Sequence, residues 1–141
     1  MSSLGKAISI AAQAHEGQRD KAGAPYILHP LRVMLKMKTE DEMIVAVLHD
    51  VIEDSDLTID LLRQEGFASE ILAAIVCLTR SDDEEYGKFI ERTKRNPLAI
   101  KVKIADLEDN LEVARLKEVT AADAERIEKY RQALQILANS A

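Results

Sequence analysis

Apolar residues recur along this chain at intervals of three and four, and no segment sustains the apolar–polar alternation of a half-buried strand. The spacing predicts a first helix over about 3–15, with Ile8, Ala11, Ala12 and Ala14 turned mostly inward. Residues 17–29 (GQRDKAGAPYILH) break the pattern with two Gly and one Pro and read as an ordered loop. Pro30 suits the first position of a short helix to about residue 38. Thr39 followed by Glu42 forms a capping box, opening a helix whose Ile44, Val45, Val47, Leu48, Val51 and Ile52 cover most of its surface. Ser55 and Asp56 lead to a helix near 58–65 closed by Gly66, and an apolar helix follows over about 69–79. Ser81 with Glu84 reads as a second capping box, starting a helix to about residue 95. Pro97 opens a long helix to about 116, and Thr120 precedes the last, to about 138. These segments make an all-α bundle of about seven or eight helices.

The 141 residues suit one domain, 1–141, large enough for a substantial core. No apolar run is long enough to span a bilayer, and residues 1–9 lack the apolar core of a signal peptide, so no membrane partner is expected and the cytoplasm is the simplest compartment. Cys77 stands alone in the apolar run 71–78 and reads as a small core hydrophobe. A net charge of −6 argues against a broad nucleic-acid surface. It leaves room for a small phosphorylated ligand, provided a metal ion and a few local cations offset the repulsion. In the last helix, Ile127, Tyr130, Leu134 and Leu137 share a face that we assign to packing on the domain, with a homo-oligomer contact as the alternative.

Chemistry is concentrated in residues 48–54, LHDVIED, where His49, Asp50, Glu53 and Asp54 interrupt an apolar helix. Burying such groups is costly unless each has a partner, and for a His beside an Asp that partner is commonly a metal ion. At helical spacing His49 and Glu53 lie one turn apart, as do Asp50 and Asp54, which makes one polar wedge. A second anomaly is Asp106, set among Val102, Ile104, Ala105 and Leu107, with Asn110 one turn further on. Alone, Asp106 reads equally well as a buried carboxylate paired with Lys103. The third is His29, fixed between Pro25 and Pro30 and biased toward an extended backbone by the proline that follows it. Together His29, His49, Asp50 and Asp106 offer two imidazoles and two carboxylates, a set suited to Mn²⁺, Fe²⁺ or Zn²⁺ with positions left for water and substrate.

Four motifs in order, AHEGQ (14–18), DKAGAPYILHP (20–30), LHDVIED (48–54) and KIADLEDN (103–110), resemble the HD-domain metal-dependent phosphohydrolases, and more narrowly the hydrolase domain of RelA/SpoT-type alarmone enzymes. The resemblance implies an HD-domain helical bundle in which His29, His49, Asp50 and Asp106 bind one Mn²⁺ and Glu53 and Asp54 assist water attack. The reaction it implies is removal of the 3′-pyrophosphate from guanosine tetra- or pentaphosphate, giving GDP or GTP and pyrophosphate. The chain departs from the family at Asp20 and Lys21, where Arg-Lys is common, and at Leu107 and Asp109, where Arg and His are common. Those positions lie near nucleotide in the family, so the metal centre looks intact and the ligand pocket altered.

Substrate contacts are assigned to Lys21, favoured by its place in the loop beside His29, and to Tyr26, Lys103 and Asn110, with Arg19 and Lys101 as further candidate cations. His15 is expected to fix the loop through a hydrogen bond. Two other readings stay open. One keeps the mechanism with a different phosphorylated nucleotide or phosphoester; the other is a non-catalytic metal- or nucleotide-binding module, against which Glu53 and Asp54 argue.

Overall fold

In a computed structural model, described for residues 2–114 and 120–140, the chain is helical throughout its regular structure. The first helix, α1 (Leu4–Ala14), is capped by Ser3, whose side chain accepts from the Lys6 amide. Ala7 and Ala11 form its buried stripe; Ala12, expected inward, is exposed. The loop that follows is ordered by its own hydrogen bonds, with Asp20 Oδ1 accepting from the amides of Ala22 and Ala24, both at 2.9 Å. Gly17 and Gly23 take positive φ, 80° and 87°, where a side chain would be strained.

Helix α2 (Leu28–Leu35) begins earlier than Pro30 suggests, and this changes the setting of His29. Proline occupies the third helical position, where its missing N–H would have had no intrahelical partner. His29 is therefore helical rather than extended, and it is buried. The Thr39–Glu42 capping box is present and opens α3 (Glu40–Leu48). Ile44, Val45, Ala46, Val47 and Leu48 are all buried, because α1, α2, α6 and α8 surround this helix.

The expected continuous helix through residue 54 is broken. After Leu48 the chain turns through His49 and Asp50, the latter at φ −105° and ψ −3°, and resumes as the single turn α4 (Val51–Asp54). Next come α5 (Ile59–Gln64), capped by Thr58 and ended by Gly66 at φ 94°, and α6 (Ser69–Leu78), in which Cys77 is half-buried against the core. Ser81 does not start a helix: α7 (Tyr86–Thr93) begins five residues later. The Glu84 carboxylate does accept from the Ser81 amide, at 3.3 Å, but it is also gripped by the Arg92 guanidinium, at 2.9 and 3.0 Å. Helix α8 (Pro97–Ala114) follows, the expected extension to 116 falling outside the described residues. Thr120 and Asp123 form a capping box for α9 (Ala121–Ala138).

Among the described residues two apolar cores result. The larger joins α1 to α6 with Ala99, Val102 and Ala105 of α8; the smaller joins Phe89 and Ile90 of α7, Ile100 and Leu107 of α8, and Ala133 and Leu137 of α9. Helix α9 thus packs back on the domain, and α8 serves both cores. Among the described residues no helix is long and apolar enough to cross a membrane.

Candidate metal centre and adjoining cavity

Asp106 stands on α8, which both cores share, and its Oδ1 faces two imidazoles: His29 Nε2 at 2.7 Å and His49 Nε2 at 3.3 Å. Asp50 Oδ2 completes the group, 3.2 Å from His49 Nε2 and 3.8 Å from His29 Nε2. The break in the helix is what makes this geometry. Adjacent residues of a continuous helix diverge by about 100° and do not face each other. The turn at Asp50 lets two neighbours, His49 and Asp50, address one point. One ligand atom from each of His29, His49, Asp50 and Asp106 lies within 4.8 Å of all the others.

Further hydrogen bonds hold these side chains in place. His49 Nδ1 donates to the Ala46 carbonyl at 2.5 Å, and His29 Nδ1 donates to Asp109 Oδ2 at 2.6 Å. Both rings therefore turn Nε2 inward. Asp106 Oδ2 accepts from Lys103 Nζ at 2.8 Å, and Asp50 Oδ2 accepts from the Tyr26 hydroxyl at 2.5 Å. Two carboxylates and two inward imidazole nitrogens fit a divalent cation of the borderline first-row type, and the outer atoms of His29, His49 and Asp106 are held as those of metal ligands commonly are.

The electrostatics agree. Burial pulls the His29 pKa down, but hydrogen bonds to Asp106 and Asp109 outweigh it and raise it to about 9. His49 is raised as well: burial opposes this, while Asp50 and Asp106 drive it. Burial opposes ionisation of Asp106 and Asp50, yet Lys103 and His49 hold the first, and His49 the second, below the usual carboxylate range. Without a cation between them, these groups satisfy one another with protons that a metal would displace.

Glu53 and Asp54 lie on α4 at the surface, their carboxyl groups partly shielded from solvent, with Glu53 accepting from the Arg80 backbone amide. Partial burial and the negative charge of Asp50 raise the pKa of both. His15 Nδ1 bonds Gln18 Oε1 at 2.8 Å, and Gln18 in turn donates to the Ala14 and Asp54 carbonyls. The loop-fixing contact expected of His15 is thus present, and it ties the 17–29 loop to α4.

Beside His29 opens a cavity of about 590 Å³, bounded by the loop, α2, α8 and α9. That volume falls in the range of small-molecule sites. Lys21, Tyr26 and Asn110 line it with Arg19. Lys103 does not; it stands behind the cluster on Asp106, with its ammonium 5.1 Å from the centre of the Phe89 ring. Lys101 points elsewhere and pairs with Glu42 at 3.1 Å. Leu107, read as a changed pocket position, is fully buried in the smaller core.

Sequence reasoning missed Arg32, Arg126, Ile127 and Tyr130 as lining residues. Arg32 had a signal, three residues after His29 on one helix; the α9 residues had none beyond their packing stripe. The three arginines are partnered. Arg32 chelates Asp109 (Nε–Oδ1 2.7 Å, Nη2–Oδ2 3.0 Å), Arg126 meets Asp123 at 3.1 Å and Arg19 donates to the Gly23 carbonyl at 2.8 Å. Lys21 makes no ion pair among the described residues.

These features define an all-α bundle around a two-histidine, two-aspartate cluster; no family model matches the sequence. Among curated proteins, the guanosine-3′,5′-bis(diphosphate) 3′-pyrophosphohydrolase of Aquifex aeolicus is 32% identical over 118 residues, covering 75% of this chain and 17% of that protein. The Haemophilus influenzae protein of the same name is 35% identical over 116 residues, 72% of this chain and 17% of its own length. The chain thus spans about a sixth of the length of these relatives. A solved metazoan ortholog of SpoT, which hydrolyzes ppGpp and plays a role in starvation responses, superposes with a TM-score of 0.80 at 21% identity, over 97% of this chain and 85% of that one. Over about three quarters of its length the chain is thus similar in sequence to a part of these pyrophosphohydrolases, and it shares the fold of the metazoan protein.

Proposed function

We propose that this protein is a metal-dependent pyrophosphohydrolase that removes the 3′-pyrophosphate of guanosine tetra- or pentaphosphate, leaving GDP or GTP. The observation that carries this reading is the convergence of His29, His49, Asp50 and Asp106 in one cluster whose His29 borders a nucleotide-sized cavity lined by Arg19, Lys21 and Arg126. The names of the curated relatives point to the same substrate.

His29, His49, Asp50 and Asp106 would hold the ion, for which Mn²⁺ is our first choice and Fe²⁺ or Zn²⁺ the alternatives. Such an ion lowers the pKa of water toward neutrality and offsets the charge of a pyrophosphate ester. The chain's own residues supply the rest. Glu53, with Asp54 beside it, takes a proton from the attacking water, a role its raised pKa suits. The water oxygen bonds to phosphorus, the bond from phosphorus to the ribose 3′-oxygen breaks, and that oxygen leaves with a proton. Lys21 and Arg19 meet the phosphates, Asn110 offers a polar contact, and Ile127 and Tyr130 give the base an apolar surface. Tyr26 holds Asp50 by its hydroxyl while its ring borders the cavity. We place this activity in the cytoplasm.

A second reading, hydrolysis of another phosphorylated nucleotide, draws on the carboxylates of Asp20, Asp109 and Asp123 at the cavity wall. Incubation with guanosine tetraphosphate, with and without Mn²⁺ and beside an Asp50→Ala control, separates the two. Equal amounts of GDP and pyrophosphate, formed only with metal and only by the unaltered protein, support the first reading. A metal-loaded protein that releases neither product rejects that substrate and favours the second.

A further inference from the structure

Asp109 is a departure from the RelA/SpoT pattern, yet it is among the most firmly held side chains in the molecule. Its carboxylate is 2% exposed and lies between two cations of α2. Arg32 grips it with two nitrogens, Nε on Oδ1 at 2.7 Å and Nη2 on Oδ2 at 3.0 Å. Oδ2 also accepts from His29 Nδ1 at 2.6 Å. The planar fork of an arginine fixes a carboxylate in orientation as well as position. A carboxylate so fixed offers the imidazole one acceptor in one place.

We infer that Asp109, locked by Arg32, is a positioning residue that keeps His29 Nδ1 protonated and aims His29 Nε2 at the cluster. This rests on the metal-centre reading for its purpose, but not for its geometry. His29 and Arg32 lie three residues apart on α2, so one helix face presents both to a single carboxylate of α8. The contact also joins the cavity wall to the cluster, since Arg32 and Asp109 line the former and His29 borders both. In this chain the residue at 109 therefore acts through His29, with its carboxylate already occupied by protein groups.

Outer partners of metal-bound histidines typically account for about 10- to 100-fold in affinity. Calorimetric titration with Mn²⁺ and Zn²⁺ should show a loss of that order in Asp109→Ala. Asp109→Asn should lose less, because an amide oxygen still accepts from Nδ1–H, and Arg32→Gln should fall between it and the unaltered protein. Melting curves identify any variant that fails to fold. A folded Asp109→Ala protein that binds both ions like the unaltered chain would overturn the inference. A second readout needs no metal. In the unaltered, metal-free protein the His29 Nδ1 proton should give a slowly exchanging, downfield NMR resonance, shifted in Asp109→Asn and absent in Asp109→Ala. If the unaltered protein takes up no metal, the metal-centre reading fails while this resonance still decides the role of Asp109. The same resonance in Asp109→Ala would refute that role directly.

Discussion

On one side of His29 the polar groups are buried and bonded to one another; on the other, the cavity is lined by long side chains whose ends reach solvent. His29, His49 and Asp106 are each less than 10% exposed, and Asp50 is shielded by Tyr26. Arg19 and Lys21, by contrast, are exposed, and Arg32 is 40% exposed. The difference is one of consequence. Removing one member of a buried, coupled set leaves the others uncompensated, whereas a rim cation that is lost is partly replaced by water. On the function proposed, the cluster would set the chemistry and the cavity would grade the ligand.

The largest effect should come from breaking the cluster. His49→Ala or Asp50→Ala should abolish metal binding and turnover together, measured by calorimetry and product release. Either variant retaining both would detach the cluster from the activity. Glu53→Gln separates the two properties. It should keep metal affinity and lose about 10²- to 10⁴-fold in kcat, the usual contribution of a positioned base. Turnover unchanged in this variant would remove Glu53 from the role proposed for it.

The pH dependence sharpens the same contrast. His29 rises from its ordinary 6.5 to about 9 in the metal-free fold. A raised folded pKa stabilises below the unfolded pKa, so this contribution is complete below pH 6.5 and is lost as pH climbs through about 9. Metal must displace the same proton, so affinity should rise about tenfold per pH unit for each proton released, until His29 is neutral. The melting temperature of the metal-free protein should thus fall between pH 6.5 and 9 relative to the metal-loaded form. Parallel curves would show that His29 is not a ligand. The smallest effect belongs to the rim: Lys21→Ala should raise KM for guanosine tetraphosphate by roughly tenfold, about the worth of one hydrogen bond to a charged group, with kcat little changed. An unaltered KM would take Lys21 out of the site.

Much of this contrast was legible in the sequence, because buried charge stands out against an apolar background. His49 and Asp50 follow five buried residues, and Asp106 interrupts an apolar helix stripe, so each demands a partner. Helix ends were legible where the cap was local, as at Thr39 and Thr120. They were not where a distant residue shared the contact: Glu84 meets Arg92, eight residues on, as well as the Ser81 amide, and no helix starts at Ser81. The turn at His49–Asp50 has no Gly or Pro to mark it, yet it is what brings those two side chains together. Asp109 was read as a changed ligand contact because its partner, His29, lies 80 residues away in sequence. Local pattern finds a buried charge; only the fold names what satisfies it.

Titration of the metal-free protein with Mn²⁺, alongside Asp106→Ala, tests most directly whether the cluster is a metal centre. Saturation at one ion per chain, with proton release and with binding lost in the variant, is the result that the geometry of His29, His49, Asp50 and Asp106 requires. A folded protein that takes up no divalent ion, or an Asp106→Ala variant that binds as tightly as the unaltered chain, would contradict it.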